Sequence, residues 1–242
     1  MAVVIGTNSG FVTTAPTADP AASATVIDNL AMAISDVTPS LTGSVSEIGW
    51  WCANSTQETN FEVGIYEDNG SNLPGDLISS YTTNAKGTGS GWKRVTVNIP
   101  LSADTQYWIA IQVDDTATTT FVDFTALAQR RSIDNSSTQL VDPWVNDGIS
   151  TGNAMAIYAV VETLVIAQST SIDFNNGLIT TAKLTATFTG NTPTFSMTAD
   201  GTNFEDVTSG IAHTFSDTGT DLRWKAVGSG TTITQLTIEN YH

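Results

Sequence analysis

The chain has 242 residues, and its 24 acidic residues outnumber 8 basic ones, so the formal net charge is −16. Phosphate backbones attract Lys and Arg, and anionic membranes repel acidic chains, so this balance argues against binding to nucleic acid or to a membrane surface. The single cysteine excludes an intramolecular disulfide, and two histidines with few lysines leave little catalytic chemistry, which argues against an enzyme.

The N-terminal residues Met1 to Gly6 contain no basic region, and no segment reaches the ~20 apolar residues of a membrane-spanning helix. We therefore expect neither a secretory signal peptide nor a membrane span. Residues 25–34 fit a short helix, but the β-branched residues Thr25, Val26 and Ile27 favour a strand.

Three segments of the chain alternate between apolar and polar residues. Their apolar faces are Phe61, Val63 and Ile65, then Val95, Val97 and Ile99, then Tyr107, Ile109, Ile111 and Val113. This period of two predicts antiparallel strands with one face in the core, and the uniformly apolar segment 154–166 predicts a central strand. With turn-rich segments between these strands, residues 1–167 are predicted to form a jelly-roll-like antiparallel β-sandwich.

Beyond residue 167 the predicted strands become shorter and more evenly spaced. They comprise residues 184–188, 195–197, 212–215, 222–226 and 233–238, with a hairpin turn at 199–203. This pattern predicts a smaller Ig-like β-sandwich over residues 168–242. The acidity is uneven, because 5 basic and 17 acidic residues give −12 before the boundary, whereas 3 and 7 give −4 after it.

The usual catalytic sequence motifs are missing from the chain. It contains no Gly-x-Ser-x-Gly, His-Glu-x-x-His or phosphate-binding Gly-Lys-Ser pattern. Asp114 and Asp115 form an acidic pair of the type used in glycoside hydrolysis, but adjacent strand residues point to opposite faces, which favours an ordinary loop. Cys52 lies in an apolar run far in sequence from both histidines, which favours a buried, inert thiol over a nucleophile.

One acidic loop is a candidate calcium site. Asp68, Asn69 and Asp76 offer the oxygen ligands that Ca²⁺ prefers, although the spacing is not that of an EF-hand. A plain turn accounts for the same residues, so Ca²⁺ is an open alternative and no other cofactor is expected.

The tryptophans are the candidate ligand-binding residues. Trp50 shares its parity with other apolar residues of its strand and is predicted to lie in the core, so Trp51 faces the other side. Trp92 borders a Gly-rich loop, and Trp144 follows Pro143 in another loop. Exposed rings at Trp51, Trp92 and Trp144 suit stacking on sugars, but packing and subunit contacts use the same residue type, so these interpretations stay open.

Several segments resemble β-rich proteins encoded by tailed bacteriophages and prophages. Residues 6–20 resemble the start of such proteins, residues 60–66, 73–75, 91–93 and 107–110 resemble a lectin-type sandwich module, and residues 196–205 and 215–225 resemble a second virion module. The resemblance implies β-sandwich modules of virions and carries no catalytic residues with it.

The resemblance leads us to expect a non-enzymatic structural protein on the virion surface, made in the host cytoplasm, as a capsid decoration or head-fibre subunit. Phe11 and Val12 are expected to dock on the particle. The expected partners are major capsid or tail proteins and sister copies, with a trimer by analogy. Two alternatives are a tail-associated protein that binds a host-surface glycan and a carbohydrate-binding module of a bacterial surface or secreted system.

Overall fold

The computed structural model describes residues 9–20, 24–114, 117–135, 138–172 and 177–241, with the backbone alone at residues 125–131, 135 and 150–154. These residues form strands and connecting loops without a helix, which confirms the prediction of an all-β protein. A helix able to cross a membrane is accordingly not found in the described residues. The chain divides into two compact units, Met1–Glu162 and Thr163–His242.

The first unit contains the strands β1 (Gly10–Val12), β2 (Ala24–Val26), β3 (Leu30–Val37), β4 (Thr42–Cys52), β5 (Asn60–Asp68), β6 (Pro74–Ala85), β7 (Gly91–Pro100), β8 (Gln106–Val113), β9 (Phe121–Asn135), β10 (Gly148–Met155) and β11 (Ile157–Thr163). The three segments predicted from alternation are β5, β7 and β8. Residues 25–34 contribute to β2 and β3, so the helical alternative is wrong there, as β-branched residues suggest.

The strands of the first unit form two layers that share the long strand β9. In the first layer, sheet I, β1, β11, β4 and β7 lie side by side, and β1 runs parallel to β11. In sheet II the order is β9, β3, β8, β5 and β6, with β10 on the other side of β9. Phe121–Asp123 of β9 pair with β2, and Val122 pairs with Cys52 of β4, whereas its later residues pair with β3.

The main core of the first unit lies between the two sheets. Alternate residues of each strand form it, among them Ile48, Trp50, Val95, Val97 and Ile99 from sheet I and Met32, Ile34, Phe61, Val63, Ile65, Ile109 and Ile111 from sheet II. Trp50 contacts Phe61 edge to face, with ring centroids 5.7 Å apart. Each such buried side chain stabilises the fold by about 1.5–3 kcal/mol.

A second, smaller core lies on the outer face of sheet II, where residues 138–147 cover the strands. The Trp144 ring packs edge to face on Tyr66 at 5.1 Å, and its indole N–H donates to Ser132 Oγ at 2.9 Å. The Tyr66 hydroxyl donates to the carbonyl of Val141 at 2.8 Å. Trp144 is therefore part of the fold and is only 8% exposed, which corrects the expectation of an exposed loop ring.

The second unit contains β12 (Val165–Gln168), β13 (Ile179–Gly190), β14 (Thr194–Thr198), β15 (Glu205–Val207), β16 (Ala212–Gly219), β17 (Arg223–Gly228) and β18 (Thr231–Tyr241). One sheet has the order β12, β17, β14, β15 and the other β16, β13, β18. Their core contains Ile179, Ala182, Leu184, Phe195, Met197, Ala199, Phe215, Leu222 and Ala226. A boundary after residue 167 would cut β12, whose strand partner β17 belongs to this unit.

The strand order of the second unit differs from the seven-strand Ig arrangement in its first, fourth and last strands. In an Ig domain the first strand joins the sheet of the second, and the last strand joins the sheet of the sixth. Here β12 lies beside β17 and β18 lies beside β13. The fourth strand, β15, lies beside β14, whereas the fourth Ig strand joins the sheet of the second and fifth strands. Either terminal strand can complete either sheet edge, so alternation in the sequence does not determine which sheet it joins.

The ionisation of the carboxyl groups differs between the two units. In the first unit, burial raises the pKa of Asp36, Glu62 and Asp123. In the second unit, side-chain hydrogen bonds lower the pKa of three carboxyl groups. Thr198 donates to Asp200, Arg223 to Asp221 and Lys183 to Glu239. On acidification, these two sets of carboxyl groups therefore contribute to stability with opposite signs.

Replacing Trp144 with Ala should lower the free energy of unfolding of the first unit by about 3 kcal/mol, because the change opens a cavity and leaves Ser132 without its donor. Urea unfolding followed by tryptophan fluorescence reports this unit, because five of the six tryptophans lie in it. Trp51→Ala is the matched control and should cost clearly less, because Trp51 is only partly buried. Equal losses in the two variants would contradict the covering role of Trp144.

Acidification from neutral pH to about pH 4 should stabilise the first unit relative to the second. A carboxyl group with a raised native pKa contributes stability that is lost as pH rises through that pKa. One with a lowered pKa contributes stability that is lost as pH falls. Thermal unfolding followed by fluorescence and calorimetry measures both transitions. Equal shifts of the two transitions would contradict the prediction, and Asp123→Asn should reduce the relative gain of the first unit.

Candidate functional site

The candidate site lies on the outer face of sheet I. The inward parity of Ile48, Trp50 and Cys52 directs Glu47, Gly49 and Trp51 of β4 outward. The strand register places Trp51 opposite Trp92 and Gly49 opposite Arg94 of β7. Together with Tyr158 of β11, these residues form a surface that we name the outer aromatic face: Glu47, Gly49, Trp51, Trp92, Arg94 and Tyr158.

Tyr158 lies at the centre of the outer aromatic face. Its ring packs directly over Gly49, where a Cβ atom would lie 2.6 Å from the ring carbons. Its hydroxyl donates to Glu47 Oε1 at 2.5 Å and accepts from Arg94 Nε at 3.0 Å. Burial and the neighbouring Glu47 raise the pKa of Tyr158, so the hydroxyl keeps its proton and stays a donor.

Residues 13–20 border the same face and are held there by two side chains of β7. Arg94 Nη2 donates to the carbonyl of Pro16 at 2.5 Å, and Trp92 Nε1 donates to the carbonyl of Ala18 at 3.0 Å. Pro16 is buried by this contact. The guanidinium of Arg94 thus joins the segment to the Tyr158–Glu47 pair and fixes the position of all three.

The aromatic rings of the face form a chain of edge-to-face contacts. The centroids of Trp51 and Trp92 are 5.4 Å apart, and those of Trp92 and Tyr158 are 5.1 Å apart. Tyr158 is fully buried, whereas Trp51 and Trp92 are partly exposed. The indole N–H of Trp51 has no hydrogen-bond partner among the described residues. Trp51 therefore keeps its indole N–H for a ligand, whereas the indole N–H of Trp92 is used by Ala18.

The structure brings together two of the three predicted ligand-binding tryptophans. Trp51 and Trp92 are neighbours, but Trp144 is buried under its own loop on the outer face of sheet II. The sequence patterns missed Glu47, Arg94 and Tyr158. Glu47 shares the parity of Trp51, which is a usable signal, but Tyr158 lies 111 residues from Glu47 and only the folded sheet brings them together.

The predicted docking residues Phe11 and Val12 belong to the fold. Phe11 is fully buried and Val12 is 6% exposed in β1, beside β11. The Phe11 ring contacts Tyr107 at 6.5 Å, and its amide donates to Asp36 Oδ2 at 2.8 Å. These side chains are not available for docking, because strand pairing places them in the core, and the expectation is corrected accordingly.

The predicted calcium loop is closed by its own hydrogen bonds. Asp68 Oδ2 accepts from Gln106 Nε2 at 2.8 Å and from Trp108 Nε1 at 2.9 Å, while Oδ1 accepts from the amide of Gly70 at 2.9 Å. Asn69 Oδ1 accepts from a backbone amide, and Asp76 lies exposed in β6. Among the described residues, no group of three or more His, Cys, Asp or Glu side chains could hold a metal ion.

The remaining candidate residues fall into structural positions or outside the described residues. Asp115 is not among the described residues, and the backbone amide of Asp114 donates to the carbonyl of Asn60. The Cys52 thiol is buried and donates to the carbonyl of Asn54 at 3.1 Å. Lys86, which no sequence pattern singles out, is 2% exposed, and its ammonium donates to Thr56 and to the carbonyl of Gly87.

Comparison of the chain with protein-family models, with curated proteins and with solved structures gave no match.

Gly49→Ala should lower the free energy of unfolding of the first unit by about 1–3 kcal/mol, because the added Cβ collides with the buried Tyr158 ring. Gly89→Ala is the matched control, since its Cβ would meet nothing within 4 Å, and it should change stability by less than about 0.5 kcal/mol. Urea unfolding followed by tryptophan fluorescence measures both variants. Equal stability of the two would show that Tyr158 can leave its position over Gly49 without loss.

Proposed function

We propose that the chain is a non-enzymatic structural protein displayed on the surface of a tailed-phage virion, as a capsid decoration or head-fibre subunit. The non-enzymatic part of this proposal rests on one observation. Carboxyl and thiol groups of the kind that catalysis needs are engaged in hydrogen bonds or buried within the fold. Asp68 closes a turn, Asp36 holds the amide of β1, and the Cys52 thiol is buried. Groups engaged in this way support a scaffold rather than a reaction.

The two β-sandwich units suit a display role. Each unit has its own hydrophobic core, and the chain carries a net charge of −16, which keeps copies soluble at high local density. Edge strands in the described residues leave places for sister copies: β18 has 11 residues, pairs only with β13, and contains no proline. These features support oligomeric display, and the resemblance of the sequence supports the virion as its place.

Immunogold labelling of phage particles purified from the source should place gold on the head when an antibody against the purified chain is used. Particles treated with pre-immune serum are the matched control. Gold on the tail would overturn the decoration or head-fibre assignment, and particles without gold would overturn the virion assignment as a whole. Binding of the purified chain to isolated capsids provides the second readout, and failure to bind would also contradict a place on the head.

A further inference from the structure

The outer aromatic face presents the exposed part of one ring and three polar atoms that no hydrogen bond among the described residues occupies. Trp51 offers its partly exposed ring and its indole N–H. Glu47 bonds Tyr158 through Oε1, and its other oxygen, Oε2, has no partner among the described residues. Arg94 uses Nε and Nη2 within the fold, and Nη1 has no hydrogen-bond partner among the residues that the structure describes. The side chains of Glu47 and Arg94 are 27% and 38% exposed, so both reach solvent.

We infer that the outer aromatic face binds a neutral saccharide, with a pyranose ring on the Trp51 indole and hydroxyl groups on Glu47 and Arg94. The apolar C–H face of a pyranose matches an indole ring in size, and its hydroxyl groups both donate and accept hydrogen bonds. The face supplies the matching set, because a carboxylate oxygen accepts while a guanidinium nitrogen and an indole nitrogen donate. An apolar platform with a few placed polar groups is the general form of a small-ligand site.

The charge of the surface favours a neutral ligand over an acidic one. Glu47 and Arg94 have opposite charges, with Oε1 and Nε 3.8 Å apart, so the face itself carries no net charge. The rest of the first unit carries a large excess of acidic residues, 17 against 5 basic ones over residues 1–167. Uronic acids, sialic acids and phosphate-bearing polymers are repelled by such a field.

The site is already in its binding conformation before a ligand arrives. Glu47 is held by Tyr158, and Arg94 is held by both Tyr158 and the carbonyl of Pro16. Trp51 is supported by the edge of Trp92 at 5.4 Å. Side chains that are ordered in advance lose little conformational entropy on binding, which is the main cost for a small polar ligand.

Native affinity electrophoresis tests the inference, since a chain with a pI near 4.1 migrates readily in a native gel. The probes are soluble neutral glucan, galactan and mannan, with a polyuronate as the acidic comparison. We expect at least one neutral polymer to retard the chain and the polyuronate to leave it unchanged. Trp51→Ala should abolish the retardation. Tyr241→Ala, which removes a 50% exposed aromatic ring in the second unit, is the matched control and should keep it.

Glu47→Gln separates ligand binding from folding. The amide oxygen of Gln still accepts the Tyr158 hydroxyl, so the fold is kept. Its NH₂ group replaces the charged acceptor by a neutral donor, so a saccharide hydroxyl that donates to Glu47 loses a charge-assisted hydrogen bond. We expect the dissociation constant to rise about tenfold, with an unchanged thermal unfolding curve. An affinity unchanged by both Trp51→Ala and Glu47→Gln would overturn the site.

Three further outcomes would overturn the saccharide inference. They are no retardation by any neutral polymer, retardation by the polyuronate alone, and a loss of self-association in Trp51→Ala without any saccharide binding, which would make the face a contact between copies. None of these outcomes bears on virion display, because gold labelling of particles is scored independently of sugar binding.

Discussion

The register of β4 is the constraint on which both surfaces of the first unit depend. Trp50 lies between the two sheets without exposure to solvent and packs on Phe61, and it is among the largest buried side chains of the chain. A shift of one residue would turn Trp50 outward and bring Glu47, Gly49 and Trp51 into the core. Burying the Glu47 carboxylate there without a partner is strongly unfavourable, so the core position of Trp50 fixes the outer aromatic face as well.

Several carboxylates of the first unit accept backbone amides and so hold other segments of the chain in place. Asp36 accepts the amide of Phe11 and Glu62 accepts that of Leu140, so that each carboxylate joins a separate segment to sheet II. Asp68 holds its own turn and also the indole of Trp108. A buried backbone amide without an acceptor costs about 1–3 kcal/mol, which explains why carboxylates occur where strands meet covering segments.

Local alternation predicted the strands well, because the period of two is a property of neighbouring residues. β5, β7 and β8 follow directly from it. The segment 154–166, expected as one central strand, instead contains the end of β10, all of β11 and the start of β12. Exposure of Trp144 and Phe11 was mispredicted because each is buried by a partner distant in sequence: Tyr66 lies 78 positions before Trp144, and Tyr107 lies 96 positions after Phe11.

The same distinction explains the candidate site. Trp51 was visible from parity alone, but the groups that would give it chemical selectivity come from β7, β11 and residues 13–20, which only sheet pairing assembles. The size of the assembly favours a small ligand over a protein partner. A stable protein interface buries about 800 Å² on each side, whereas the groups left available here are one indole ring and the ends of two charged side chains.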